Sequence, residues 1–173
     1  TIASCKKLLD KNPLDQISGP TFWKTQNDAD LALAGCYSRL NSSTFTFNQS
    51  MWSVLAGDAS QPNQSLGSSS IGTLAQGIIE PTSGGLVSTI YKDCYRGIAS
   101  CNLFLKNIDK ISINDELKAQ YKGEVQFLRA FFYFTLSSFY GGVPLITQPV
   151  IKIDESKIKQ STKAEVITQV LTD

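Results

Sequence analysis

The residue types that most often carry out catalysis are either missing from this 173-residue chain or not spaced for it. The chain has no histidine, which excludes Ser-His-Asp and Cys-His catalysis, histidine proton transfer and most designs of zinc site. No stretch has the ligand spacing of an EF-hand calcium loop. Glycoside hydrolysis needs paired carboxylates, and no suitable spacing is found among the candidates Asp58, Glu80, Asp93 and Glu124. The sequence therefore predicts no enzyme, catalytic residue, metal site or cofactor.

Cys5 has the chemistry of an attachment site. It follows Ile2, Ala3 and Ser4, which is the aliphatic-small-small-cysteine pattern of a bacterial lipoprotein processing site. After cleavage this cysteine would be the first mature residue and would carry several acyl chains, which anchor a protein where a single chain does not. We expect residues 1–4 to be residual signal peptide and Cys5 to be lipidated. The alternative is an ordinary cysteine in a polar N-terminal segment.

The other three cysteines, Cys36, Cys94 and Cys101, lie in segments predicted to be helical. Cys94 and Cys101 are seven positions apart, so their Cα atoms would be separated by about 10 Å. A disulfide requires roughly 4.4–6.8 Å, so these two cannot pair with each other. All three are predicted to be small buried hydrophobic side chains. The sequence leaves open whether Cys36 forms a bridge with Cys94 or with Cys101.

Charge and hydropathy limit the partners of the chain. The net charge is +1 and the lysines are scattered, so no basic stripe is present and nucleic acid is not expected as a partner. The most apolar segment is interrupted by Thr135, Ser137 and Ser138, so no transmembrane helix is predicted.

Four helices are predicted to position these residues. The first begins at a cap on Thr25 or Asn27 and ends near Leu40, and its face is formed by Leu31, Ala34, Tyr37 and Ser38. The second spans about residues 86–108, with the apolar stripe Val87, Tyr91, Cys94, Ile98, Cys101, Leu105 and Ile108. The third spans 115–140, and the fourth begins near Thr162 and is still running at Asp173. The second and third form a hairpin of tetratricopeptide-like size, with Cys94, Cys101, Leu128 and Phe132 buried between them.

The third helix has the strongest signals of the chain. Asn114 is its predicted N-cap, Gly141 and Gly142 supply a left-handed C-cap, and Pro144 blocks continuation. Its apolar stripe is Leu117, Tyr121, Val125, Leu128, Phe132, Leu136 and Phe139. Further aromatic residues follow around the circumference, so this helix needs covering neighbours on all sides, which we expect residues 1–173 not to be enough to supply. Arg129 lies among them and is predicted to be held by a carbonyl clamp or by an ion pair with Asp93 or Glu124.

The segments between the helices are polar or irregular. Residues 5–20 are predicted to be the lipidated cysteine and an extended tether, and residues 21–173 the N-terminal part of an incomplete helical domain. Residues 61–85 are rich in Ser, Gly, Gln and Asn and cannot form a core of their own. Residues 143–159 are predicted to be an irregular crossing segment.

Several of these stretches together resemble the SusD/RagB family of surface-exposed nutrient-binding lipoproteins. The third helix and its end contain RAFFYFTL followed by YGGVPL, which is similar to the signature of that family. The segments CKKLLDKNP, FWKTQNDADLALAGCYSRL, IYKDCYRGIASCNLFLKNI and STKAEVITQVLTD are similar to further family segments, in the family's order. Each match alone is weak, but their order along nearly the whole chain is specific.

The resemblance implies an all-α, SusD-like fold of tetratricopeptide-like hairpins with long irregular loops, in a protein much longer than this chain. It implies a lipid-anchored protein on the outer face of the outer membrane, used in polysaccharide utilisation. Such a protein would bind a glycan or oligosaccharide and deliver it to a SusC-like TonB-dependent transporter. A peptide-binding RagB-like variant and a helical-repeat scaffold for protein partners are the alternatives.

The resemblance also places the family's variable ligand-contact loop after the first helix. Aromatic rings stack on sugar rings, and amide or carboxylate groups bond the sugar hydroxyls. On these grounds the predicted ligand-binding residues are Trp52, Asp58, Gln61, Asn63 and Gln64. Trp23 has the same chemistry but opens the first helix, so core packing is expected there.

Overall fold

The structure, a computed structural model, describes residues 22–42, 44–46, 86–150 and 158–173. Within these ranges it contains four α-helices and no β-strand: α1 (Gln26–Tyr37), α2 (Leu86–Asn107), α3 (Asp115–Tyr140) and α4 (Lys163–Thr172). Short 3-10 turns follow α1 and α2, at Ser38–Asn41 and Ile108–Lys110. The predicted bounds of the second and third helices are confirmed. None of the helices in the described ranges is long and apolar enough to cross a membrane.

The N-terminus of α1 is a capping box centred on Thr25. The Thr25 hydroxyl accepts a hydrogen bond from the Asp28 N–H, and the Asp28 carboxylate accepts from the Thr25 N–H at 2.8 Å and the Lys24 N–H at 3.0 Å. These backbone hydrogen bonds hold the pKa of Asp28 below its ordinary value. Of the two predicted caps, Thr25 is therefore correct and Asn27 is not.

The predicted face of α1 is wrong. Leu31 is 51% exposed and Tyr37 41% exposed, whereas Ala29 and Cys36 are buried. The inward face consists of Ala29, Ala32, Leu33, Cys36 and Leu40, all of which belong to or pack against the core. These side chains are mostly small, so the helix can lie close to α2 and α3, and larger side chains point outward.

Helices α2 and α3 form the predicted antiparallel hairpin, which is the centre of the core. Contacts at three successive levels join Val87 to Tyr140, Gly97 to Phe132, and Asp109 to Lys122. Cys94, Cys101, Leu128 and Phe132 are at most 2% exposed, as predicted. Gly97 allows the close approach, because a Cβ placed there would lie 2.4 Å from the Phe132 ring.

The predicted stripes of the hairpin need correction at their edges. On α2, Ile90 and Phe104 are buried, whereas Tyr91 is 37% exposed and Val87 and Leu105 are half-buried. On α3, Phe139 is exposed, and so are the outer aromatic residues Phe127, Phe131 and Phe134. The described residues therefore do not cover α3 on all sides, in agreement with the expectation that residues 1–173 are not enough to supply all of its neighbours.

Both ends of α3 have the predicted caps. The Asn114 side chain accepts hydrogen bonds from the N–H groups of Glu116 at 2.8 Å and Leu117 at 3.3 Å. Gly141 has a φ of +74°, which favours glycine, and a Cβ at Gly142 would lie 2.2 Å from the Ser161 carbonyl oxygen. The chain is thereby brought back against the start of α4, where Thr162 forms a second capping box with Glu165.

Helix α4 packs on α3 and buries Val166.

Candidate functional site

The structure places only some of the predicted functional residues. Cys5 and the predicted ligand residues Trp52, Asp58, Gln61, Asn63 and Gln64 lie outside the described residues and stay predictions. Trp23 is described, and its ring packs edge-on against Phe104 with centroids 5.8 Å apart. The prediction that Trp23 belongs to the core is confirmed.

A groove of about 720 Å³ lies along the outer face of α2, beside the end of α3. It is lined by Val87, Ser88, Tyr91, Lys92, Tyr95, Arg96, Ala99 and Tyr140. Three tyrosines form a ring cluster in it: the Tyr91 centroid is 4.7 Å from that of Tyr95 and 5.3 Å from that of Tyr140. An aromatic surface with a few polar groups at its margin is typical of small-ligand sites.

Two of the three tyrosine hydroxyls at the groove stabilise the fold through hydrogen bonds. The Tyr95 hydroxyl donates to the Pro144 carbonyl at 2.7 Å, and the Tyr140 hydroxyl donates to the Val87 carbonyl. Burial raises the pKa of Tyr140 to about 12 and also raises the pKa of Tyr95. Both phenols are therefore neutral at physiological pH, and these two side chains offer a ligand mainly their ring surfaces.

The charges at the groove are cationic. Lys92 and Arg96 are its charged lining residues, and the Arg96 side chain is 62% exposed. Asp93 lies next to them in sequence but is 8% exposed, accepts a hydrogen bond from the Thr44 hydroxyl at 2.7 Å and pairs with Arg96 at 3.5 Å. None of the described residues that line the groove is a carboxylate, so they supply no acid and base pair for hydrolysing a glycosidic bond.

Arg129 forms a buried clamp next to the turn that follows α3. Its guanidinium forms a two-point ion pair with Asp173, with Nε 2.8 Å from one carboxylate oxygen. It also donates to the Asn102 side-chain oxygen at 2.8 Å and to the Thr147 carbonyl at 3.3 Å. Both kinds of contact predicted for Arg129, an ion pair and a hydrogen bond to a backbone carbonyl, are present. The predicted acidic partners are wrong, because Asp93 bonds Thr44 and Glu124 accepts from Tyr37 at 2.9 Å.

The same turn is held by two further side chains of the hairpin. Asn102 donates to the Ile146 carbonyl at 2.7 Å, while its oxygen accepts from Arg129. The Tyr133 hydroxyl donates to the Ile146 carbonyl at 3.0 Å and accepts from the Ile146 N–H at 2.7 Å. Burial raises the pKa of Tyr133 to about 12, so this hydroxyl keeps its proton. These contacts fix residues 143–148 against α2 and α3.

The groove was not found by the sequence analysis, although part of its signal is present. Tyr91 and Tyr95 are four positions apart, as are Lys92 and Arg96, and such pairs share one side of a helix. Tyr91 was instead assigned to the core stripe. The position of Tyr140 depends on the pairing of α2 with α3, which no local pattern shows.

Comparison with known proteins decides the family. The SusD-like family model, described as "Starch-binding associating with outer membrane", matches residues 7–173. The chain belongs to the SusD-like family. SusD-like protein P38 of Formosa agariphila is 33% identical over 174 residues, which are 98% of this chain and 33% of that relative. This SusD-like chain spans about a third of the length of the curated relatives it matches.

Solved structures of SusD-like proteins share the fold. A SusD-like protein from Bacteroides fragilis matches with a TM-score of 0.74 at 24% identity, over 94% of this chain and 31% of that one. A laminarin-binding SusD-like protein matches with a TM-score of 0.75 at 25% identity, over 86% of this chain and 32% of that one. The predicted fold class, all-α with tetratricopeptide-like hairpins, is confirmed for this SusD-like chain.

Proposed function

We propose that this chain is part of a cell-surface lipoprotein that binds a glycan and delivers it to a SusC-like TonB-dependent transporter in the outer membrane. The observation that carries the proposal is the family match over residues 7–173, because the family is described by starch binding and association with the outer membrane. The likeness to a laminarin-binding SusD-like protein supports a glycan rather than a peptide as the ligand.

The ligand contacts are proposed for the segment that contains Trp52, Asp58, Gln61, Asn63 and Gln64. The Trp52 ring would stack on a sugar face, and the carboxylate and amides would bond its hydroxyls. In the described part of the chain, the polar groups of Asn102, Arg129 and Tyr133 are already occupied by the scaffold. Because these polar groups are already bonded within the protein, a ligand site outside the hairpin core is favoured.

A role in binding rather than catalysis agrees with the side chains available. The chain has no histidine, and no carboxylate is found among the described residues that line the groove. A binding protein at a transporter needs only to capture its ligand and release it into the pore, since the energy for uptake would come from the transporter. We therefore assign no reaction to this protein.

Lipidation of Cys5 would hold the protein at the outer membrane, and residues 6–20 would serve as its tether. That segment is polar and contains Pro13, Gly19 and Pro20, so it is suited to an extended linker. A tether of this kind would allow the protein to open and close over the barrel of its transporter as a lid.

The binding step is tested on the full-length protein by isothermal titration with laminarin and with starch, and with a mixed peptide digest as the alternative ligand. Trp52→Ala should weaken glycan binding by about tenfold or more, because an aromatic contact is lost. Phe127→Ala is the matched control, since it removes an aromatic side chain that is 69% exposed on α3. If the protein binds neither laminarin nor starch but does bind peptides from the digest, the proposed ligand class is wrong.

Anchoring and delivery are tested in cells. Wild-type protein should incorporate a labelled fatty acid and fractionate with the outer membrane, and Cys5→Ser should do neither. The wild-type protein should also co-purify with a TonB-dependent transporter from detergent-solubilised outer membranes. If it elutes alone, and deletion of an adjacent transporter gene leaves glycan uptake unchanged, the proposed delivery role is wrong.

A further inference from the structure

The groove along the outer face of α2 combines aromatic surface with positive charge. Its volume of about 720 Å³ lies within the range of small-molecule sites, which is about 300–1,000 Å³. Tyr91, Tyr95 and Tyr140 supply ring surfaces, and Lys92 and Arg96 supply the charge. We propose that this groove binds an acidic saccharide, whose sugar rings pack on the tyrosines and whose carboxylate or sulfate groups pair with Lys92 and Arg96.

The aromatic part of the groove is held in place by the fold itself. The Tyr95 ring is fixed through its hydroxyl, which donates to the Pro144 carbonyl at 2.7 Å, and the Tyr140 ring is fixed through its hydrogen bond to the Val87 carbonyl. The Tyr91 ring contacts both of these rings, stands edge-on to Tyr140 with an interplanar angle of 88°, and is 37% exposed. A surface ordered in this way can pack on the face of a sugar at a low cost in side-chain entropy.

The positive charge of the groove is only partly neutralised by the described residues. Lys92 and Arg96 are four positions apart on α2, so they share one side of the helix. Arg96 pairs with Asp93 at 3.5 Å, and a guanidinium with five N–H donors has others left for a ligand. Lys92 forms no ion pair with any of the described residues. Asp93 is 8% exposed and accepts from the Thr44 hydroxyl, so its carboxylate contributes little to the surface that a ligand meets.

This combination fits an acidic saccharide better than a neutral sugar or a simple anion. A neutral sugar would make no use of the two cationic side chains, and a simple anion would make no use of the rings. A sugar with a carboxylate or a sulfate ester has an apolar ring face and a group that forms charge-assisted hydrogen bonds. The inference rests on the proposed function, glycan binding, and adds a second set of contacts to those proposed for Trp52 and its polar neighbours.

The ligand class is tested by isothermal titration of the full-length protein with oligosaccharides that share one backbone. They are an oligogalacturonate, the neutral form obtained by reducing its carboxylates, and the sulfated form of that neutral sugar, with alginate and chondroitin sulfate as further acidic ligands. At least one acidic saccharide should bind about tenfold or more tightly than the neutral form, and the difference should shrink as salt is added. The carboxylated and sulfated forms show which acidic group is preferred. If none of the acidic saccharides binds, or if the neutral form binds equally well, the proposal is overturned.

Variants assign the binding to the groove. The double substitution Lys92→Gln and Arg96→Gln should weaken binding of the acidic saccharide by about tenfold or more, because two charge-assisted contacts are lost. Lys106→Gln is the matched control, since it removes an exposed charge of α2 that does not line the groove. Tyr91→Ala should also weaken binding, whereas Tyr91→Phe should retain it, and circular dichroism checks that each variant is folded. Unchanged binding in the double variant would place the site elsewhere, and unchanged binding in Tyr91→Ala would indicate a simple anion contact. Either result would overturn the proposal.

A labelling measurement tests whether the groove is open in the full-length protein. Lys92 should be acylated about as readily as Lys106, and bound acidic saccharide should protect Lys92 but not Lys106. If Lys92 resists acylation without ligand, another part of the protein covers the groove and the proposal is wrong. If laminarin or starch binds but no acidic saccharide does, only this inference fails, whereas if no saccharide of any kind binds, the proposed function fails with it.

Discussion

Gly97→Ala is the substitution for which local propensity and packing give opposite predictions. Gly97 lies inside α2, where alanine is favoured over glycine by about 1 kcal/mol in an exposed helix. A Cβ at this position would instead lie 2.4 Å, 2.5 Å and 2.7 Å from three carbon atoms of the Phe132 ring. Carbon atoms in favourable contact are about 3.5–4.0 Å apart, so the ring would have to retreat by about 1 Å.

The ring has little room for such a movement. Phe132 is 0% exposed, and its centroid is 5.4 Å from that of Phe45 and 6.0 Å from that of Phe131. Overpacking a core typically costs about 1–3 kcal/mol, and a displacement of this size belongs near the upper end. After subtraction of the gain in helix propensity, we expect Gly97→Ala to lower the free energy of unfolding by about 2 kcal/mol.

Gly123→Ala on α3 is the matched control. Gly123 is exposed, and a Cβ there would have no neighbour within 4 Å, so the substitution should stabilise the protein by about 1 kcal/mol. Urea unfolding of the full-length proteins, followed by circular dichroism, should therefore move the two midpoints in opposite directions. Phe132→Leu should relieve part of the defect in a double mutant with Gly97→Ala, because the two sites are in contact. A Gly97→Ala protein as stable as Gly123→Ala would refute the close packing.

Three further predictions test the core, the clamp and the buried phenol. Phe132→Ala should cost about 3–5 kcal/mol of unfolding free energy, and a loss below about 1 kcal/mol would mean that its helix face is misassigned. Arg129→Met should cost about 3–5 kcal/mol because the Asp173 side chain, 2% exposed, loses its partner, whereas Lys122→Met at an exposed ion pair should cost less than about 1 kcal/mol. Comparable losses would contradict a buried clamp. Tyr133 has a pKa of about 12 in the folded protein against an ordinary value of 10.0, so its contribution is present below pH 10 and is lost as the pH rises through 12. Urea midpoints measured from pH 9 to 12 should fall less steeply in Tyr133→Phe, and equal slopes would contradict this assignment.

The helices with strong local signals were predictable from the sequence. Asn114 and Gly141 mark the ends of α3 by side-chain and backbone chemistry that acts within a few residues. Thr25 and Thr162 do the same for α1 and α4 through capping boxes. Such signals need no knowledge of the tertiary structure, and the bounds that they predict agree with the structure.

Which side chains of a helix point into the core was less predictable, because this depends on the neighbours of that helix. On α1, the small residues Ala29 and Cys36 point inward, although the side chains of Leu31 and Tyr37 have a larger apolar surface. Arg129 needs a buried acid, and the sequence offered Asp93 on the facing helix and Glu124 on the same helix. Its partner Asp173 is 44 positions away and meets it only because α4 packs on α3. Long-range pairing of this kind leaves no periodic pattern.

Three residues of the YGGVPL stretch have clear structural roles. Gly141 adopts a positive φ, Gly142 lies against the Ser161 carbonyl, and the Pro144 carbonyl accepts a hydrogen bond from Tyr95. Ile146, just beyond it, is bonded on both sides by Tyr133. Apart from Tyr140, whose ring lines the groove, the stretch therefore docks the crossing segment onto the hairpin. The signature therefore identifies the scaffold, and the proposed ligand contacts are assigned to other residues, namely Trp52 and its polar neighbours.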